Sequence, residues 1–157
     1  MSRIAIVCAL LVLIVAAPAS AATKTLDFKV RPWTQKKMTG DPAAAPVVGD
    51  MFAYAEGAVY SLAGRKIGTS AATSTAVAMG TSKMTVSLSS VFKFSGGQIL
   101  SAGMQVNTMG SNPMNQTVKF SRAVTGGTGA YVGARGVDAI TVKNGWVYHH
   151  VTYETMS

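Results

Sequence analysis

Chemistry in this chain has few places to come from. There are six acids, Asp27, Asp41, Asp50, Glu56, Asp138 and Glu154, and two histidines, His149 and His150. Asp50 and Glu56 stand an even number of positions apart, so in an extended strand they share a face with Phe52, Tyr54 and Tyr60. Carboxylates and phenols gathered around an apolar guest can polarise it or move a proton. A carboxylate enclosed there has a raised pKa unless a cation pairs with it. On this pattern Glu56, Tyr54 and Asp50 are the catalytic candidates, and Phe52 and Tyr60 are candidates for lining the guest. Plainer roles compete: Asp50, after Gly49 at a strand start, fits a turn cap, and Glu56 fits an ion pair with Arg65 or Arg135.

The other candidates follow from the same alternation. Adjacent strand residues face opposite ways, so His149 and His150 cannot chelate one metal as a pair. One of them, His149 by parity with Val151 and Tyr153, points into the interior, where a general-base role competes with that of a satisfied or solvated histidine. Arg122 shares parity with Phe120 and Val124 and is expected to face inward, and Phe92 alternates inward with Val86, Leu88, Ser90 and Phe94. The chain carries no Ser-His-Asp constellation, P-loop, dinucleotide fingerprint or zinc-ligand spacing, so neither a metal nor a cofactor is expected.

The length of 157 residues suits one domain. Residues 1–21 read as an export signal: Arg3, an apolar run from Ile4 to Ala17, and Ala19-Ser20-Ala21 as the cleavage motif. The run is short against the roughly 20 residues of a bilayer span, so no membrane span is expected after its removal. The one cysteine, Cys8, lies inside it, and a mature chain starting at Ala22 has no disulfide or thiolate. The net charge of +8 is scattered, with no basic run longer than two. That argues against nucleic acid and for a basic surface drawn to anionic polysaccharide or membrane. The expected localisation is secreted and extracellular. Asn115-Gln116-Thr117 fits a glycosylation sequon.

The elements are all β. Thr, Val, Ser, Ala and Gly dominate, and no window after Ala22 sustains a helical period. Residues 22–46 hold a first strand, Thr25–Trp33, and a loop whose turn is Gly40-Asp41-Pro42; residues 47–157 hold the remainder. The strands expected there are Val47–Leu62, Lys66–Met79, Thr85–Phe94, Gln98–Val106, Val118–Thr125, Ala130–Val142 and Trp146–Thr155. Asn144-Gly145 is the strongest hairpin signal. Gly126-Gly127 reads as a reversal and Gly133 and Gly136 as bends in the following strand. Eight strands with short connections predict an antiparallel barrel or a sandwich, and glycines inside strands suit a barrel.

Three segments in order carry a family resemblance. AVTGGTGAYVGARG at 123–136 resembles the glycine-rich segment of plant dirigent proteins and of allene oxide cyclases. VVGDMFAYAEGAVYS with GRKIGTSAATSTAV resembles a block of the cyclases, and FKFSGGQILSAGM is similar to a segment both families share. The resemblance implies an eight-stranded antiparallel β-barrel forming a homodimer or homotrimer. It implies that the barrel steers coupling or cyclisation of an apolar, phenolic or polyene-like small molecule without a cofactor, a separate oxidase supplying radicals if the action is dirigent-like. It adds Asp41, from the partial match of GDP to a dirigent motif, and Arg135, from the Ala-Arg-Gly match, as ligand-side candidates beside Phe92, Arg122 and His149. The chain departs from both families: Phe120 stands at the place of the dirigent arginine, and Trp33–Met38 has no acid where the cyclases carry a glutamate. A non-catalytic ligand-binding or surface protein on the same barrel is the alternative. A plant source would make the compartment the apoplast.

Overall fold

A computed structural model describes residues 22–31, 35–109 and 117–155. Residues 1–21, with Cys8 and the export signal, and residues 110–116, with Asn115 of the sequon, lie outside the described residues.

The described chain is all β, without an α-helix. The strands are β1 (Lys24–Val30), β2 (Gln35–Lys37), β3 (Met51–Tyr60), β4 (Lys66–Met79), β5 (Lys83–Phe94), β6 (Gly97–Thr108), β7 (Val118–Gly127), β8 (Arg135–Lys143) and β9 (Trp146–Glu154). Every pairing is antiparallel, and the order runs β1-β9-β8-β7-β6-β5-β4-β3-β2. A further β1–β3 pairing closes the sheet into an eight-stranded barrel. Closure removes the free edges that an open sheet must protect.

The closing seam is made by two pieces. β1 reaches β3 at Lys29↔Tyr60 and Val30↔Val59, while β2 covers the earlier part of β3 at Gln35↔Tyr54, Lys36↔Ala53 and Lys37↔Phe52. The segment expected to be loop therefore contributes a short strand. Its sequence, Gln-Lys-Lys, has no apolar alternation by which to be recognised.

Alternation sends one parity of each strand inward. The core gathers Phe28 and Val30 of β1, Val59 of β3, Phe92 of β5, Ile99 of β6, Val124 of β7, Ile140 and Val142 of β8, and Val147, Val151 and Tyr153 of β9. Phe28 meets Phe92 edge-on at 4.8 Å between centroids and Phe94 at 5.4 Å.

Two elements differ from the sequence expectation. Gly126 and Gly127 do not form the reversal: they end β7, paired with Leu100 and Ile99, and the chain turns through a 3-10 segment at Gly129–Tyr131. Gly127 is needed for close approach, since a Cβ there would lie 2.5 Å from the carbonyl oxygens of Gln98 and Tyr131. The face expected to run unbroken from Asp50 to Tyr60 is interrupted. A register shift between Tyr54 and Gly57 resets the alternation. Val59, fully buried, takes the inward place, and Glu56 is left exposed. The Asn144-Gly145 hairpin is as expected, with φ of 51° and 72°.

Candidate functional site

Three ionisable side chains from three adjacent strands converge inside the barrel. Arg122 of β7 stands opposite Asp138 of β8 in register, and His149 of β9 stands opposite Ile140, one inward position along β8 from Asp138. All three are buried, with Asp138 at 0% exposure, His149 at 2% and Arg122 at 4%. Asp138 is the hub. Its Oδ1 and Oδ2 lie 2.9 and 3.1 Å from His149 Nδ1. The Ser101 hydroxyl donates to Oδ2 at 2.9 Å, and Arg122 Nη2 approaches the same oxygen at 3.4 Å. Arg122 Nη1 donates to Ser90 Oγ at 2.8 Å.

The neighbours fix this geometry. The His149 ring stacks on Phe28 at 4.7 Å with 8° between planes, and meets Phe92 edge-on at 4.8 Å. Gly103 on β6 leaves room for the arginine: a Cβ there would come within 2.9 Å of Arg122 Cγ.

Electrostatics set the protonation states. Burial pushes the Asp138 carboxyl upward, but the His149 hydrogen bond and the charges beside it more than offset this, so it stays below its ordinary value and ionised. Burial holds the His149 imidazole below its ordinary value and neutral, against the pull of Asp138. Burial also lowers the Arg122 pKa, opposed by Asp138, and an arginine remains a cation regardless. An ionised carboxylate only accepts, so His149 Nδ1 carries the hydrogen and Nε2 is a bare acceptor. Within this cluster His149 Nε2 and Arg122 Nε are buried without a protein hydrogen-bond partner. The interior thus offers one acceptor and one charged donor, set among phenylalanines.

These shifts fix the acid response. Folded His149 resists the proton that the unfolded chain takes up below pH 6.5, so stability should fall as pH drops through that region. A second loss should begin below pH 3.8, where Asp138 and Asp50, both held low, must be protonated. Melting temperature against pH checks this, and the first phase should vanish in His149→Gln.

The candidates read from the sequence divide. Arg122, His149 and Phe92 meet at the cluster. Phe52 is buried on the inner face of β3, and Tyr54, half-buried, shares a hydrogen bond with Ser74 at 3.2 Å. Asp50 is spent on structure. It pairs with Lys37 Nζ at 2.8 Å and accepts from Thr39 Oγ1 at 3.1 Å and Val47 N at 2.9 Å, tying β2 and the following loop to β3. The Lys37 hydrogen bond holds its pKa down, so it is no ready proton donor. Glu56 is exposed within the bulge, and Tyr60 packs edge-on against Trp146 at 5.6 Å on the outer face. Asp41 accepts from Ala43 N at 2.9 Å in an exposed turn. Arg135 is exposed and donates to the carbonyls of Thr125 and Ala134 at 2.6 and 2.9 Å. His150 faces out and binds Asp27 at 2.6 Å.

Asp138, Ser101 and Ser90 are not among the candidates that the sequence offers. The available signal was an acid inside an apolar run, Val137 to Val142, at even spacing from Ile140 and Val142. Its match to Arg122 becomes visible only once β7 and β8 are in register.

No family model matches the chain, and no curated protein matches it. Solved structures do. Pyocyanin demethylase is similar at 19% identity with a TM-score of 0.65, over 82% of this chain and 99% of that one. A nonspecific heme-binding cyclase that catalyses a cycloaddition during neoabyssomicin biosynthesis is similar at 16% identity and a TM-score of 0.59, over 88% of this chain and 69% of the other. An exo-specific intermolecular Diels-Alderase is similar at 14% identity and a TM-score of 0.58, over 84% of this chain and 98% of the other. At these identities the likeness is one of fold: this chain is a small β-barrel of the architecture on which those proteins are built.

Proposed function

We propose that this barrel binds an apolar small molecule, phenolic or polyene-like, and steers its cyclisation or coupling, with Arg122, Asp138 and His149 as its polar anchor. The observation that carries this reading is the buried pair of unsatisfied groups, His149 Nε2 and Arg122 Nε. Leaving a buried polar atom unmade costs about 1–3 kcal/mol each. A guest hydroxyl that donates to Nε2 satisfies the imidazole, and a guest oxygen that accepts from Nε–H satisfies the guanidinium. With Asp138 holding the imidazole tautomer, Nε2 can take a proton from that hydroxyl. Arg122 then holds the negative charge left behind, and the proton returns from Nε2 when the product forms. Confinement among Phe28, Phe92 and the barrel wall restricts the guest to few reactive geometries. The resemblance of residues 123–136 to dirigent and allene oxide cyclase segments supports this reading, as do barrel neighbours described as a cyclase and a Diels-Alderase. If residues 1–21 act as an export signal, the work is extracellular.

The test is product stereochemistry. A 4-hydroxyphenyl propenol with a one-electron oxidant, and a tethered diene–dienophile, are converted with and without the protein. The expected result is an enantiomer ratio displaced from 1:1 for at least one of them, returning to 1:1 with His149→Phe, whose ring preserves the stack. Racemic product from both, with or without tight binding, would remove the steering role. Tight binding alone would favour the non-catalytic carrier.

A further inference from the structure

The outer face carries a second built feature, remote in kind from the interior cluster. Register places Tyr148 of β9, Lys29 of β1, Tyr60 of β3 and Lys66 of β4 side by side in one row. The neighbouring row holds Lys143 opposite Trp146, with Arg31 reaching the same ring. The cations are seated on the rings: Lys29 Nζ lies 4.9 Å and Arg31 Cζ 5.0 Å from the Trp146 centroid, and Lys143 Nζ lies 5.1 Å from that of Tyr148. Neither row contains a carboxylate. Asp27, two residues earlier on the same face of β1, is bound to His150. Beside the rows, the turn between β3 and β4 presents Leu62, 54% exposed, and its carbonyl accepts from Lys29 Nζ at 3.0 Å. Arg65 adds another cation to that turn.

We infer that this face docks on an anionic phospholipid surface. Lysines and arginines are drawn to the negative leaflet. Tyrosine and tryptophan settle at the headgroup level with their polar ends toward water. Leu62 at the turn tip is the apolar element that enters below them. The same residues suit a sugar chain or a nucleic acid less well. Those ligands stack on open ring faces, whereas Trp146 is already engaged by Lys29, Arg31 and Tyr60. They also have no use for an exposed leucine.

The experiment is co-sedimentation of the full chain with vesicles of phosphatidylcholine alone and of equal parts phosphatidylcholine and phosphatidylserine. Because residues 1–21 are themselves apolar, the informative comparison is between variants of the same chain. Binding to the mixed vesicles should exceed binding to phosphatidylcholine and weaken with salt. It should fall about five-fold for each charge removed in Lys29→Gln, Arg31→Gln and Lys143→Gln, and several-fold in Leu62→Ser. Lys83→Gln with Lys119→Gln, on the exposed faces of β5 and β7, removes charge elsewhere and should change binding little. Thermal melting confirms that each variant is folded. Three results would overturn the inference. One is equal binding to both vesicle types. Another is equal loss from the distant lysine variants. The third is capture by a soluble polyuronate that survives Leu62→Ser while the mixed vesicles are ignored.

Discussion

Asp138→Ala is expected to destabilise the barrel by about 3–5 kcal/mol, read as a lowered denaturant midpoint. The carboxylate is the common acceptor for His149, Ser101 and Arg122, and all of these lie in the interior. Removing it strands a guanidinium where water cannot reach it. An uncompensated buried charge is among the costliest single defects available to a folded chain. Replacing both partners, Asp138→Leu with Arg122→Met, should recover much of the loss, because apolar side chains of similar volume often match or exceed a buried ion pair in stability. The pair of measurements separates roles. A stable double variant that no longer displaces the enantiomer ratio shows that the charges serve chemistry more than folding. A single variant within about 1 kcal/mol of the parent would mean that Asp138 is far less central than its three partners indicate.

Phe28→Ala is the second large effect, with an expected cost of about 3–5 kcal/mol. Phe28 is fully buried and touches Phe92, Phe94 and His149 by ring contacts at 4.8, 5.4 and 4.7 Å. Its loss opens a void that strands cannot collapse to fill without breaking ladders on both sides. Phe28→Leu should cost clearly less, since it refills most of the volume. The two variants also probe the imidazole. Without the stacked ring His149 is freed to rotate away from Asp138, so the alanine variant should lose steering of the product beyond what its stability predicts. Calorimetric melting beside the stereochemical assay reads both.

Much of the scaffold could be read from residue order. Alternating parity places His149 inside and His150 outside, and puts Arg122 inward with Val124. Asn144-Gly145 marks its turn because few other pairs adopt positive φ at both positions. Parity fails where it must. It is a local rule, and one extra residue between Tyr54 and Gly57 reverses it, sending Glu56 out and Val59 in. In the sequence Asp50 reads as either a reactive acid or a turn cap, and nothing decides between them because Lys37, which neutralises it, sits on a three-residue strand with no pattern of its own. Asp138 shows the other limit. Its meaning lies in what faces it across the ladder, and partners such as Ser101, many positions away along the chain, become neighbours only through closure. Site chemistry here is a property of register.

Between β1 and β3 the described residues pair at Lys29–Tyr60 and Val30–Val59, and β2 continues the seam along β3 at Gln35–Tyr54, Lys36–Ala53 and Lys37–Phe52. Breathing motions concentrate where fastenings are fewest. Among the described residues this seam carries fewer pairs than the β4–β5 and β5–β6 ladders, so its amides should exchange with solvent sooner than theirs.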